Sequence, residues 1–257
     1  MSIRFCLYTL SGVPMSIKCL VFICCQVYPG EKTGVCAAII TGEDRSLITE
    51  LGAAEKFCAK FLIQEENWKL VQRAKFFYIG GFLLSNSRDV VAAVATHSSE
   101  QNKTLIMNLH ATFLCPYFVD PDLNLIAHTD VLFGNGDEYA ELAKLMGMDA
   151  SDLKKVALSV SALPKANASR PRVVIITQGK KPTILASEGD VQEIPVTPID
   201  PSIIKDTNGC GDSFVGGFLS QLVQGKPISD CLRCGSYAAK VVIQQWGCTY
   251  PPQPDFK

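Results

Sequence analysis

A short run of small and acidic residues, Asp206-Thr-Asn-Gly-Cys-Gly-Asp212, carries the strongest chemical signal in the sequence. Two glycines flank Cys210, so the backbone can turn tightly and bring bare amide groups close to an anion. We expect a helix to begin near 211–214, with its positive dipole end and unpaired amides directed into the same turn. The run therefore predicts a phosphate cradle, although a glycine loop capped by an aspartate has the same pattern.

Asp212 would lie in the first turn of that helix, where the helix dipole keeps a carboxylate ionised. An ionised carboxylate at a phosphate site can accept a proton from a substrate hydroxyl, which is the action of a general base. Whether the run performs chemistry or only turns the chain depends on the elements that surround it.

Apolar, strand-like runs alternate with segments of helical spacing through most of the chain. Predicted strands cover 75–79, 104–109, 131–133 and 173–177, and predicted helices cover 50–61, 65–73, 89–98, 123–128, 138–146, 151–163, 213–224 and 228–245. Two hairpins are expected, over 34–51 and 183–194. This alternation indicates an α/β fold whose parallel sheet is covered by helices on both faces.

Polar or glycine-bearing segments follow the predicted strands, where ligands bind in sheets of this kind. They are Gly80-Gly81-Phe82, Asn108, Gly134-Asn135, Thr177-Gln178-Gly179 and the run from Asp206 to Asp212. Each segment alone is more typical of turn chemistry. Together they favour one cleft that handles phosphate.

The composition favours a small-molecule role. The 257 residues can bury a large core, as one domain or as one domain with a small appendage. With 24 basic residues, 25 acidic residues and no basic block, nucleic acid is not an expected partner. The 11 cysteines include one C-x-x-C pair, Cys231 and Cys234, and the 3 histidines are too few to favour a zinc site. Reduced thiols in a cytosolic protein are the simpler interpretation.

The first 27 residues form an apolar segment that differs from the rest of the chain. Its two uncharged stretches, 5–17 and 19–27, are each shorter than the about 20 residues that span a bilayer. Arg4 could begin a signal peptide, but no clear small-residue cleavage site follows. We interpret 1–27 as buried strands or as a stretch outside the fold, and we expect no membrane partner.

With these residues assembled, the chain resembles the ribokinase-like family of sugar and nucleoside kinases, and within it the adenosine kinases. The segment from Asp206 to Leu219 is similar to the family signature Asp-Thr-x-Gly-Ala-Gly-Asp. Further matching motifs are Glu65 to Trp68, Tyr78 to Phe82, Leu132 to Asn135, Thr177 to Gly179, Gly247 to Thr249 and Pro254 to Phe256. The resemblance implies a three-layer fold with a mostly parallel sheet over 52–257 and a small, incomplete β lid over 28–51.

The resemblance also implies an activity, the transfer of the ATP γ-phosphoryl group to the 5'-hydroxyl of adenosine, which gives AMP and ADP in purine salvage. Asp212 would be the general base, and the amides of Gly209, Cys210 and Gly211 would stabilise the charge that develops on the phosphoryl group. Arg45 matches a lid arginine that reaches the phosphates on closure. The resemblance also implies a monomer in the cytoplasm, with the nucleus as a second location.

Other site residues follow from the same resemblance. Asn135 and Glu138 match an Asn-x-x-Glu element that orients Mg²⁺ through its water shell, a role that suits an ion that keeps its waters. ATP would be held by the residues Asn135, Thr177, Gln178 and Gly179. Phe82 would stack on the adenosine base. The remaining matches to the adenosine pocket are Cys36, Leu47, Leu51 and Asn208.

Three departures from the family pattern define an alternative. The strand that carries the family's ribose-binding Asn and Asp, and a Gly-Gly motif that closes on the sugar, have no match ahead of Thr33. Cys210 replaces the usual alanine, and Gly136, beside Asp137, stands where the family commonly has glutamate. The alternative is therefore a nucleotide-binding remnant of an adenosine kinase, truncated at its N-terminus and catalytically impaired. A related sugar kinase is a third possibility.

Overall fold

A computed structural model describes residues 5–8, 21–24, 27–41, 44–247, 249–251 and 255–256. For 5–8, 21–24, 38, 40, 41, 44, 45 and 47 it describes the backbone alone. The contacts among its residues divide the chain into two compact units. The first unit contains residues 1–37, 47–178 and 183–194, and the second unit contains residues 38–46, 179–182 and 195–257.

Two small sheets precede the main one. Strands β1 (Phe5–Tyr8) and β2 (Val21–Cys24) pair antiparallel, so strands do occur in the segment 1–27. The side chains of these two strands lie outside the described part. Strands β3 (Thr33–Thr41) and β4 (Asp44–Gly52) pair with each other, which confirms the predicted hairpin.

The main sheet has six strands in the order β10-β9-β8-β7-β6-β5. Their bounds are β5 Phe76–Gly80, β6 Thr104–Asn108, β7 Val131–Asn135, β8 Val173–Gln178, β9 Lys181–Ser187 and β10 Asp190–Ile194. Neighbours from β5 to β8 are parallel, and β9 and β10 form the predicted antiparallel hairpin. Consecutive residues of β6 and β8, such as 105–107 and 174–176, are completely buried. Continuous burial requires cover on both faces, and the α/β prediction is confirmed.

The helices match the predicted alternation closely. They are α1 Ala59–Leu62, α2 Glu65–Arg73, α3 Arg88–Glu100, α4 Cys115–Phe118, α5 Leu125–His128, α6 Gly136–Leu145, α7 Leu153–Ala162, α8 Cys210–Leu222 and α9 Ile228–Val242. Helices α3, α6 and α7 pack on the sheet. In the part of the chain that the structure describes, no helix combines the length and the apolarity that crossing a bilayer requires.

The predicted helix over 50–61 was wrong in its first residues. Strand β4 continues to Gly52, whose φ of +54° turns the chain, and the amide of Ala53 then donates to the carbonyl of Lys32 at 2.8 Å. A 3₁₀ turn over Ala53–Lys56 and the short α1 follow. Strand pairing with β3 therefore overrides the local helical spacing of Glu50.

Arg172, immediately before β8, is a buried cation with 1% exposure. Its guanidinium donates to five backbone carbonyls, those of Ile126, Thr129, Val160, Leu163 and Pro164, at 2.6–3.2 Å. Burial lowers its pKa to about 10. The planar fork of an arginine suits several acceptors at once, so this side chain joins the ends of α5 and α7 to the start of β8.

Helices α8 and α9 of the second unit approach each other through glycines. A Cβ on Gly217 would lie 2.6 Å from the carbonyl oxygen of Cys234, and a Cβ on Gly235 would lie 2.7 Å from that of Phe214. These are distances that carbon atoms cannot occupy without a shift of the backbone. The chain end packs on α9 too, where the amide of Asp255 donates to the Tyr237 hydroxyl at 2.8 Å.

Gly217 therefore allows a simple test of this crossing. We expect Gly217→Ala to lower the free energy of unfolding by about 1–3 kcal/mol, because the added methyl group overpacks the contact with α9. Gly216→Ala is the matched control, since a Cβ there meets no atom within 4 Å and alanine favours a helix over glycine by about 1 kcal/mol. Urea unfolding followed by circular dichroism measures both changes. Equal effects of the two substitutions would contradict the close approach.

Candidate active site

The parallel register brings the predicted strand exits of the first unit to one edge of the sheet. Gly80 pairs with Asn108, Asn108 pairs with Phe133, and Asn135 pairs with Thr177. The ends of β5, β6, β7 and β8 therefore lie side by side, as the sequence predicted for these four segments. We call this edge the carboxyl edge.

Asn135 and Glu138 form a capping box at the start of α6. The Glu138 amide donates to Asn135 Oδ1 at 2.9 Å. In return, the Asn135 amide and its Nδ2 donate to the two carboxylate oxygens of Glu138, each at 2.8 Å. The two side chains thus hold each other rigidly at the carboxyl edge.

Glu138 is a buried acid with 5% exposure. Burial raises its pKa, while the hydrogen bond from the Asn135 backbone and the charge of His110 act in the opposite direction. Asp137 and Asn135 are exposed beside it. The capping box therefore presents polar groups to solvent on top of a buried carboxyl group.

Phe82 lies just past the end of β5 and is 53% exposed. Its ring is stacked on the imidazole of His110, with 5.2 Å between ring centroids and 24° between planes. The ring of Phe113, which is 65% exposed, lies 6.2 Å from Phe82. Such an exposed aromatic cluster can bind a planar ring by stacking.

The two glycines before Phe82 have a steric cause. A Cβ on Gly80 would lie 2.5 Å from Cε1 of His110, and a Cβ on Gly81 would lie 2.5 Å from the carbonyl oxygen of Leu109. The Gly-Gly motif therefore makes room for the segment that follows β6. His110 and Phe113 were missed by the sequence interpretation, and the signal that could have found them is this pair of glycines.

Thr177, Gln178 and Gly179 lie at the end of β8 and in the two-residue turn to β9. Thr177 Oγ1 is 3.5 Å from the carbonyl oxygen of Gly134 on β7. Gly179 has a φ of +61°, and a Cβ there would meet no atom within 4 Å. The turn is therefore glycine-dependent through its backbone conformation, and it is sterically open.

The predicted hairpin residues lie on the separate sheet of β3 and β4. Cys36 is exposed on β3 and accepts a hydrogen bond from Thr49 Oγ1 at 3.3 Å. Leu51 is half-buried near the end of β4. Arg45 and Leu47 also fall on β4, but their side chains lie outside the described part of the structure.

The glycine turn of the second unit leads directly into α8. Gly209 is the residue before the helix and has a φ of +72°, a left-handed conformation that favours glycine. The helix begins at Cys210, slightly earlier than predicted. A Cβ on Gly211 would meet no atom within 4 Å. The turn therefore depends on the left-handed conformation of Gly209 and has open space beside Gly211, while the phosphate cradle stays a prediction.

Asp206 holds this turn in shape. Its Oδ1 accepts hydrogen bonds from the amide of Asn208 at 2.8 Å and from Asn208 Nδ2 at 2.7 Å. Its Oδ2 accepts the amide of Gly247 at 3.1 Å, and its own amide donates to the carbonyl of Ile243 at 3.3 Å. Asn208, predicted to contact ribose, is thereby also part of the turn's internal bonding.

Asp212 is exposed in the first turn of α8. Ser213 beside it is buried, donates to the carbonyl of Gly209 at 2.7 Å, and lies 2.9 Å from the Tyr250 hydroxyl. Cys210 is half-buried, and its thiol is directed toward the carbonyl of Asp206 at 3.9 Å. The second unit thus combines an exposed carboxylate with an open helix start.

Neither a metal-binding cluster nor a disulfide is present among the described residues. Among them, no group of three or more His, Cys, Asp or Glu side chains could hold a metal ion. Six cysteines are described as free thiols, including Cys231 and Cys234, which are both buried on α9.

Comparison with known proteins identifies the family. A model of the pfkB family carbohydrate kinases matches residues 21–255, and the match begins inside the segment 1–27. The chain belongs to this family. The pfkB kinases are phosphotransferases with an alcohol group as acceptor, and the family membership agrees with the α/β fold and its edge of glycine and polar residues.

Several relatives within the pfkB family are adenosine kinases. Adenosine kinase 1 of Arabidopsis thaliana is 44% identical over 224 residues, which are 87% of this chain and 65% of the relative. The chain therefore spans slightly less than two thirds of that protein. The Anopheles gambiae adenosine kinase in complex with P1,P4-di(adenosine-5) tetraphosphate has a TM-score of 0.85 at 40% identity, over 90% of this chain and 68% of that one. The Schistosoma mansoni adenosine kinase in complex with 2-fluoroadenosine has a TM-score of 0.81 at 31% identity, over 85% of this chain and 64% of that one.

Replacing Glu138 by glutamine tests the capping box. Glutamine offers one oxygen where two now accept hydrogen bonds, so we expect Glu138→Gln to lower the free energy of unfolding by about 1 kcal/mol. Because burial raises the pKa of Glu138, the Glu138 carboxyl group stays protonated in the folded chain at pH values where it is ionised in the unfolded chain. The stability of the wild-type chain relative to the variant therefore falls as pH rises from the ordinary glutamate pKa through the raised one.

Urea unfolding at several pH values across this range measures the difference. Glu66→Gln is the matched control, because Glu66 is an exposed glutamate in the first turn of another helix, α2. A stability difference for Glu138→Gln that does not change with pH would contradict the role of burial.

Proposed function

We propose that this chain is a nucleoside kinase that transfers the γ-phosphoryl group of ATP to the 5'-hydroxyl of adenosine. The observation that carries the proposal is the start of α8, where the exposed carboxylate of Asp212 follows the left-handed Gly209 and the open Gly211. A carboxylate base and backbone amides that face the phosphoryl group are two of the groups that phosphoryl-transfer enzymes use.

The proposed step is an in-line displacement. Asp212 accepts the proton of the 5'-hydroxyl as that oxygen bonds to the γ-phosphorus, and the bond from the γ-phosphorus to the bridging oxygen breaks to release ADP. The backbone amides of Gly209, Cys210 and Gly211 donate hydrogen bonds to the transferring group. Cys210 contributes only its amide, so a thiol in place of a methyl group is compatible with this role.

The acceptor and donor are proposed from the relatives and from the aromatic cluster. The related Anopheles gambiae structure is a complex with P1,P4-di(adenosine-5) tetraphosphate, and the related Schistosoma mansoni structure is a complex with 2-fluoroadenosine. In this chain the exposed ring of Phe82 is suited to a flat purine. We further propose that Thr177, Gln178 and Gly179 hold ATP. We also propose that Arg45 contacts the phosphates. The proposed contacts to adenosine come from Cys36, Leu47, Leu51 and Asn208.

Mg²⁺ fits the capping box as an ion held through its waters. Both carboxylate oxygens of Glu138 already accept a hydrogen bond from Asn135, which favours contact through water over direct ligation. A magnesium ion bound to ATP would neutralise phosphate charge. Asn135 and Glu138 would orient its water shell from a fixed position. We also propose a monomeric, cytosolic protein, and free thiols at the described cysteines support such a compartment.

Asp212→Asn tests the assignment of the base. Asparagine has nearly the same shape but cannot accept the proton, so we expect the rate of AMP formation from adenosine and MgATP to fall by about 100-fold or more. Asp230→Asn is the matched control, because Asp230 lies in the first turn of the neighbouring helix α9. The control should keep the wild-type rate.

The assay is chromatographic detection of AMP and ADP, with thermal unfolding to confirm that both variants are folded. Nucleotide binding by the wild-type chain without formation of AMP would contradict the proposed transfer and favour the remnant interpretation. Preference for free ribose or fructose over adenosine would contradict the acceptor.

A further inference from the structure

His110 has no part in the proposed transfer, yet its ring occupies a defined place at the carboxyl edge. The imidazole covers one side of Phe82 as a stacked pair, and 53% of Phe82 remains exposed. Stacked pairs of aromatic rings attract each other beyond their burial of surface. Phe82 is therefore supported by the His110 ring, while about half of its own surface remains accessible to a ligand.

The backbone of His110 is held in an uncommon conformation. Its φ is +66°, which few residues other than glycine adopt. Its amide donates to Oδ1 of Asn108 at 3.3 Å, and Asn108 itself is 7% exposed at the end of β6. A conformation of this kind persists where the surrounding structure enforces it, and such positions concentrate at binding sites.

The space for the imidazole comes from the neighbouring strand. A side chain on Gly80 would collide with the ring, because even a Cβ would lie 2.5 Å from Cε1 of His110. On the same strand, the Tyr78 hydroxyl lies 3.5 Å from Nε2. The end of β5 and the end of β6 therefore form a slot for this ring.

We propose that His110 is a positioning residue for the nucleobase: its imidazole forms the floor on which Phe82 lies, so that Phe82 presents a fixed ring face to a planar base. The inference rests on the proposed function, since it requires that adenosine stacks on Phe82. A ring fixed before the ligand arrives loses less conformational entropy on binding, which improves affinity without any contact between His110 and the ligand.

A different role for His110 would act through its charge. Burial raises the pKa of the nearby Glu138, and a positive charge on His110 opposes that rise. An electrostatic role of this kind requires a ring that can carry a charge, whereas the support of Phe82 requires only a flat ring. The two roles therefore respond differently to a neutral aromatic substitute.

Two substitutions of His110 separate the possibilities. His110→Asn keeps a residue that tolerates the left-handed conformation but removes the ring. His110→Phe keeps a flat ring without a charge. We expect His110→Asn to raise the KM and the Kd for adenosine by about 3- to 10-fold, the range that one aromatic pair supplies, with kcat changed by less than twofold. His110→Phe should stay within twofold of the wild-type chain in all three constants.

The control is His128→Asn. His128 is the last residue of α5, in the chain segment that leads into β7, and its substitution should leave the KM for adenosine unchanged. AMP formation gives KM and kcat, isothermal titration calorimetry gives Kd, and thermal unfolding shows that each variant is folded. If both His110 variants keep the thermal stability of the wild-type chain and lose affinity equally, a flat ring is not sufficient and the floor is overturned. If His110→Asn binds adenosine as the wild-type chain does, the inference is overturned while the proposed function stands.

The calorimetric arm separates the two proposals. If the wild-type chain binds adenosine but forms no AMP, the proposed transfer is overturned, and the Kd values of the two variants still decide the role of His110. If the wild-type chain does not bind adenosine at all, both are overturned.

Discussion

The parallel hydrogen bonding of β5 to β8 is the constraint on which the rest of the first unit depends. In parallel pairing, all strands point the same way, so the residues that follow them must emerge at a common edge. Because β6 and β8 are buried on both faces, their central residues are apolar. Polar groups that must face a ligand can therefore occur only at the ends of the strands or beyond them, and Asn108, Asn135 and Thr177 are among the last paired residues of their strands.

The opposite edge of the sheet uses polar groups for stability. Arg172 donates to five carbonyls there. Asp130, just before β7, accepts the amide of Leu105 at 2.9 Å and pairs with Lys165, and the side chains of this pair are 5% and 7% exposed. Buried charges of this kind are tolerated when their hydrogen bonds are satisfied. The sheet therefore has one edge fixed by internal polar bonds and one edge at which Asn135, Phe82 and Phe113 are exposed.

The sequence predicted the fold well, because long periodic segments carry their own signal. Helix α2 has the predicted bounds, and each predicted strand of the main sheet is present. The helix expected from Glu50 failed because pairing between β3 and β4 is a tertiary effect that local spacing does not contain. Element type was thus predictable where the local pattern and the tertiary contacts agreed.

The site was predictable only in part. Asn135 and Glu138 were recognised as a pair, but the spacing of a capping box is the same as that of the family element, so sequence cannot separate a structural role from a ligand role. His110 was missed because its residue type alone predicts neither a left-handed backbone nor a ring that stacks on Phe82. The roles of Asp212 and of the hairpin residues depend on a bound ligand, which no local pattern specifies.

The glycine contacts between α8 and α9 have a consequence for electrostatics. Backbone packs against backbone at Gly217 and Gly235, so few soft side-chain torsions separate the two helices. Asp206 and its neighbour Lys205 bond to Ile243 at the end of α9, which ties the turn to the same pair of helices. The amide dipoles at the start of α8 are therefore oriented before any anion arrives. In the transfer proposed above, such preoriented dipoles would have a small reorganisation energy, because they need not turn as negative charge develops.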